Sequence, residues 1–359
     1  MPRSAPGHPY QGLPDRQFWR ADPGIADPAA FDPVSGPPFR IAPTDRIVTA
    51  GSCFAQHLAL RLDDAGFCHH VTEPGHPMLS DQIRQRFNYG LFSARYGNVY
   101  TARQLLQLFN RALGRFNPRE RAWTHPDGAS LVDPFRPRIQ PGGYASIAEL
   151  EAERAQHLTC TRRAMQEADV FVFTLGLTEA WEDASDGAVF PLAPGVAGGR
   201  FDPDRVRFAN FGVAETTADL GAALDLLRQV NPKVRIVLTV SPVPLNATFT
   251  PHHVAEATAW SKAVLRVAAQ TVQAQLHDCF YFPSYEIITS PQSRGRYFGP
   301  DGRAVTEAGV DHVMRLVFRH LATDAPQPAA PPARADSHTA RMDRIVQTIC
   351  DEEAIDNRD

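Results

Sequence analysis

Three short apolar runs stand out along the chain, at 46–50 (RIVTA), 170–174 (VFVFT) and 235–240 (RIVLTV). They are rich in β-branched and aromatic residues and show no polar alternation, as expected of parallel strands buried on both faces. A weaker fourth run is 280–282 (FYF). Between them the apolar period changes. In 252–277, Val254, Ala257, Val264, Leu265, Ala268, Val272 and Leu276 fall on one stripe of a helix. In 306–321, Val310, Val313, Met314, Val317, Phe318 and Leu321 do the same. Helical patterns also fit 54–65, 101–113, 146–168 and 215–229. Strands alternating with helices predict an α/β fold: a three-layer α/β/α sandwich around a mainly parallel sheet. Its site is expected beyond the carboxyl ends of the strands.

The ends of the chain read differently. Residues 1–45 hold ten prolines and few apolar runs, which predicts an extended arm lying over a domain. Residues 324–337 (DAPQPAAPPARADS) read as a Pro/Ala linker. The tail, 322–359, is expected to be disordered, with a short helix at 338–354. That leaves one domain at 46–321. Its long segments 66–165 and 183–215, rich in Arg, Tyr, Phe and Pro, are expected to form a substrate-facing cap.

Composition narrows the function classes. At 359 residues, 43% hydrophobic and 21% charged, the chain can bury a sizeable core. Net charge is −4, which gives no field for nucleic acid. Lys233 and Lys262 are the two lysines among 36 basic residues, so arginine usage reflects composition more than a binding surface. The five cysteines form no CxxC pair, which argues against a disulfide framework or structural zinc. No run of 18 apolar residues is present, and the first twenty residues hold no signal-like apolar core. A cytoplasmic protein with reduced thiols, with no metal or organic cofactor and no membrane or nucleic-acid partner, is expected. The oligomeric state is left open.

The first strand runs into Gly51-Ser52-Cys53-Phe54-Ala55 and then a helix. Gly51 permits a tight turn. Ser52 then stands at a strand's carboxyl end and a helix's N-terminus, where free N–H groups can stabilise an oxyanion. That placement suits a nucleophile; it equally suits an N-cap serine. Cys53 is a rival nucleophile, with a small buried thiol as its ordinary role.

The string GSCFA is the signature of the GSCFA family, and the chain resembles that family over about residues 45–321. The resemblance extends through SARYGNVYTARQLLQLFNRA at 93–112, VDPFRPRI at 132–139, FVFTLGLTEAW at 171–181, TVSPVPLNATF at 239–249, SKAVLR at 261–266 and YFPSYEII at 281–288. The family in turn is similar to SGNH or GDSL-type hydrolases, whose fold is flavodoxin-like and whose first-block serine is the nucleophile. The resemblance therefore implies Ser52 as nucleophile. It also implies an oxyanion hole drawn from later blocks, here Gly176 with Thr178 where asparagine is usual. Asn98, beside Gly97, is the candidate for the missing amide. Glu179 and Trp181 are expected to line the pocket.

The base is where the sequence departs from the pattern. SGNH-type enzymes carry a late D-x-x-H; here that stretch is Asp301-Gly302-Arg303-Ala304. Two histidines are candidate substitutes, with Asp301 to orient either one. His253 opens the helix after the third strand, and His312 points away from the apolar stripe of the last helix, toward solvent or another layer. His57 reads as a packing or surface residue, and Glu286 as a second carboxylate near the same edge.

Two functions follow. One is an SGNH-like serine esterase or O-acyltransferase acting on a small-molecule or carbohydrate ester, such as an O-acetyl group. In it Ser52 attacks, His253 or His312 takes the proton, and Ser52 N–H, Asn98 and Thr178 hold the oxyanion. The other is a non-catalytic ligand-binding protein that keeps the fold and lacks the base.

Overall fold

The computed structural model describes residues 8–323 and 354–355. The linker and the helix expected at 338–354 lie, apart from residue 354, outside the described residues. In chain order the elements are β1 (Ile47–Gly51), α1 (Cys53–Asp64), α2 (Asp81–Arg86), α3 (Ala102–Ala112), β2 (Trp123–Thr124), β3 (Leu131–Val132), α4 (Ile147–Glu167), β4 (Val170–Leu175), β5 (Glu179–Asp183), β6 (Val189–Phe190), β7 (Val206–Asn210), α5 (Val213–Val230), β8 (Arg235–Val240), α6 (Val254–Gln275), β9 (Cys279–Tyr281), α7 (Ser284–Thr289) and α8 (Glu307–Leu321).

The four apolar runs form one parallel sheet in the order β1-β4-β8-β9. Alternate residues feed two cores. Ala50, Phe173, Leu238 and Tyr281 face α3, α5 and α6, where Leu105, Phe109, Leu224 and Leu265 cover them. Ile47, Val172, Val237 and Phe280 face Phe54 and Leu58 of α1 and Val310 and Val313 of α8. Covering both faces is what makes the strands read as continuous apolar runs. This is the expected α/β sandwich.

Two features differ from the sequence expectation. The segment 66–165 is not only a cap, because α3 and the end of α4 pack into the main core through Leu105, Phe109 and Met165. A second, antiparallel sheet of order β6-β5-β7 grows from the end of β4. Its strands are short and charged (EAWED, VRFAN), so they carry no clear period.

The proline-rich segment forms four single-turn 3-10 helices between Asp15 and Ala30 and then runs along α8. It is fastened by Ile41 N–H to Leu321 O (2.6 Å), by Arg315 to Ala29 O (2.5 Å) and by Asp32 to His320 (2.8 Å). No helix among the described residues is long and apolar enough to cross a membrane.

Candidate active site

β1 ends against β4 more closely than any side chain allows. Gly51 has φ 142°, and a Cβ built there lies 2.4 Å from Thr174 O. This contact turns the chain into α1 and leaves Ser52 at the N-cap. Ser52 does not cap the helix. Its side chain is buried, 3% exposed, and its Oγ has no hydrogen-bond partner. A buried hydroxyl without a partner costs about 1–3 kcal/mol, so the fold holds it there against its solvation.

Ser52 shares a small pocket with Tyr100, Gly176, Ser241, Pro244 and Lys262. The space is about 10 Å³, room for one water. Gly176 allows the close approach, because a Cβ on it lies 3.1 Å from Ser52 Cβ. Lys262, 2% exposed, donates from Nζ to Gly176 O at 2.6 Å. Its neighbour Ser261 accepts from Thr178 N–H at 3.1 Å. Helix α6 thus clamps the segment after β4 from behind.

Sequence reasoning missed Lys262, although a signal was present. Ser261 and Lys262 are two polar residues on the apolar stripe of α6, between Ala257 and Leu265. A lysine on a buried helix face, in a chain that otherwise favours arginine, is that signal.

The expected oxyanion donors are already engaged. Ser52 N–H donates to Thr174 O (3.2 Å), and Gly176 N–H to Tyr100 O (2.9 Å). The Thr178 hydroxyl donates to Asn210 Oδ1 (2.7 Å). Asn98 is buried, its Oδ1 accepting from Gln56 (3.4 Å), and with Gly97 it lines a neighbouring pocket instead. Glu179 is tied to the loop after β8, accepting from Thr248 Oγ1 (2.6 Å) and Phe249 N–H (3.1 Å). The helix-opening N–H groups of Cys53 and Phe54 have no carbonyl four residues back, and Cys53 lines the Ser52 space. The Cys53 thiol is otherwise a core group packed with the sheet.

None of the expected base residues lines that space. His253 is exposed and caps α6, its Nδ1 accepting from Ala255 N–H at 3.1 Å. His312 is buried, not solvent-facing, because the N-terminal arm covers that side of α8. Its Nε2 lies 2.8 Å from Phe31 O and its Nδ1 2.6 Å from the Tyr297 hydroxyl. A carbonyl only accepts, so Nε2 carries the proton and Nδ1 accepts from Tyr297. Both ring nitrogens are engaged, one with the arm and one with the loop before α8. Burial, outweighing the Phe31 carbonyl, lowers the His312 pKa and keeps the ring neutral. His57 is likewise neutral, pushed to about 4 by burial and by Arg61.

Asp301 is a turn aspartate, accepting from Arg303 N–H (3.0 Å) and Ala304 N–H (3.1 Å). Arg303 Nε donates to Pro244 O at 3.2 Å. The 301–304 turn therefore does stand beside the wall of the Ser52 space, with exposed Ala304 where a histidine was expected. Glu286 is held by Arg266 (2.6 Å) and the Tyr281 hydroxyl (2.9 Å). Among the described residues no group of three or more His, Cys, Asp or Glu side chains is placed to hold a metal.

The GSCFA family model matches residues 46–316, most of the chain and all four strands of the parallel sheet. The chain belongs to the GSCFA family. Among curated proteins no sequence matches it.

Proposed function

We propose that this chain is a serine esterase or O-acyltransferase that forms an acyl-enzyme on Ser52, with Lys262 as proton acceptor in place of a histidine. The observation that carries this reading is the Ser52 hydroxyl. It is buried at a helix N-terminus, hydrogen-bonded to nothing, and lines a small pocket together with a buried lysine. Serine–lysine pairs are an established variant of the serine–histidine arrangement.

A neutral Lys262 amine keeps its lone pair while donating to Gly176 O, and takes the Ser52 proton as Oγ adds to the ester carbonyl. The carbonyl electrons move onto oxygen, which faces the Cys53 and Phe54 N–H groups at the positive end of α1. Collapse expels the alcohol, which receives the proton from Lys262. Water or a second hydroxyl then takes the acyl group by the reverse route. A space for one water favours a small acyl group such as acetyl, carried on a small molecule or a sugar. The 241–245 wall draws back to admit it.

The second reading, a binding protein without catalysis, draws on two observations: Ala304 in the histidine position, and the engaged N–H groups of Ser52 and Gly176. A fluorophosphonate probe followed by intact mass separates the two. The catalytic reading expects one adduct on the native chain and none on Ser52→Ala. Folded native protein that takes no adduct supports the binding reading.

A further inference from the structure

Away from Ser52, four guanidinium groups, of Arg95, Arg111, Arg136 and Arg154, stand around three buried or half-buried carboxylates, of Glu73, Asp133 and Glu153. Arg95 pairs with Glu153 (2.7 Å), and Arg136 with Asp133 (2.8 Å) and Glu153 (2.5 Å). Arg154 takes the other Asp133 oxygen (2.9 Å). His157 donates to Glu73, and its pKa is lowered by burial, with Arg136 adding to the effect, so it brings no positive charge at neutral pH. Arg111 is left over. It is 9% exposed and stacks on Phe135 with its guanidinium carbon 4.1 Å from the ring centroid. It makes no hydrogen bond or ion pair among the described residues. The dipole at the end of α3 eases the charge but supplies it no acceptor.

Arg111 faces a cleft of about 310 Å³, far larger than the space over Ser52. Phe116, Asn117, Glu120, Phe135 and Arg154 share its lining. Glu120, on the lining, is paired with Arg205 at 2.9 Å, so it does not neutralise Arg111. Burial pushes the Arg111 pKa down to about 9 against the pull of Asp133, which marks a charge short of a partner. The cleft therefore combines an unmet guanidinium fork, a second arginine bordering the same ring (5.9 Å) and two aromatic walls.

We propose that this cleft is a binding site for a small molecule bearing a carboxylate or phosphate, whose oxygens pair with Arg111 while its apolar body lies against Phe116 and Phe135. Arginine's planar fork suits both oxyanions. The site is independent of the reaction assigned to Ser52.

The test is thermal unfolding of the full chain titrated with inorganic phosphate and, separately, succinate, at ionic strength held constant with chloride. A saturable rise in Tm with at least one of them is expected, and at least a tenfold weaker response in Arg111→Met. This variant removes an unmet buried charge and is expected to fold at least as stably as the native chain. Glu120→Gln provides a second arm, since losing a carboxylate from the cleft is expected to tighten binding severalfold. Absence of a saturable response in the native chain, an equal response in Arg111→Met, or unchanged affinity in Glu120→Gln overturns the proposal.

Discussion

Replacing Lys262 by methionine tests the proposed chemistry most directly, because the structure separates its effect on stability from its effect on rate. The side chain is 2% exposed and reaches Gly176 O at 2.6 Å. Methionine keeps most of the volume, so no large cavity opens. The Gly176 carbonyl loses its donor, which costs about 1–3 kcal/mol. Removing a buried amine offsets part of that cost. The variant is therefore expected to fold with a modestly lower urea midpoint. The rate effect is much larger. A positioned base contributes about 10²–10⁴-fold, equivalent to roughly 2.7–5.5 kcal/mol of barrier. Second-order labelling of Ser52 by a fluorophosphonate is expected to fall by that factor in Lys262→Met. Lys262→Arg can keep a donor to Gly176 O, but its guanidinium is always protonated and cannot accept a proton, so it is expected to label as slowly as the methionine variant. If either variant folds and labels within about threefold of the native rate, Lys262 is not the base and the reasoning fails.

Two further outcomes follow from the geometry. Gly51→Ala drives a Cβ to 2.4 Å from the Thr174 carbonyl at a φ of 142°. Because β1 cannot part from β4 without losing its ladder, a loss of more than about 3 kcal/mol is expected in urea unfolding; a smaller loss shows that the turn gives way easily. The Glu73 carboxyl is pushed up by burial but brought down to about 2 by the His157 hydrogen bond, with the Arg136 charge adding to the effect. A folded pKa below the usual 4.5 contributes stability that is present above the unfolded value and lost as pH falls from about 5 toward 2. Glu73→Gln is expected to flatten the fall in urea midpoint over that window by up to about 3 kcal/mol, and an unchanged slope counts against this linkage.

What the sequence made legible was local. The strand–turn–helix at Ser52 is contiguous, and Gly51 permits the tight turn there, so the candidate nucleophile and the strands of the parallel sheet could be read directly. The base could not, because its role depends on which distant element comes to rest against the strand ends. Lys262 is chemically silent as a letter in SKAVLR and acquires its proposed role only through burial beside Ser52. The hydrogen-bonding of the expected oxyanion donors was hidden for a similar reason. Whether Gly176 N–H is available depends on Tyr100 O, which belongs to a segment between β1 and β4 that carries no strand pattern. His312 was placed away from the core because a helical wheel finds one buried stripe, whereas Phe31 of the arm and Tyr297 of the loop before α8 cover it on another side. The sheet β6-β5-β7 escaped because two-residue and charge-bearing strands have no period to detect.

The two candidate positions for a base differ in the environment they offer. The 301–304 turn is held at the rim by Arg303 on Pro244, and Ala304 there is exposed. An imidazole at that rim would titrate near neutrality in contact with water, which suits histidine. Lys262 stands on α6 instead, bonded to Gly176 O of the segment after β4 and 2% exposed. A lysine becomes a base near neutral pH only when taken out of water, and this burial provides that condition. If Lys262 is the base, as proposed, its place on the dry helix rather than on the rim loop calls for the residue change as well as permitting it. On the proposed reading the 301–304 turn carries no proton-transfer group, and it meets the 241–245 wall through Arg303 on Pro244. That wall is tied in turn to α6 by Leu245 N–H on Thr258 Oγ1 (3.2 Å), so opening at the rim is coupled to the helix that carries Lys262. The small pocket over Ser52 and the missing histidine then fit one proposed arrangement, with entry at the rim and proton transfer at the back.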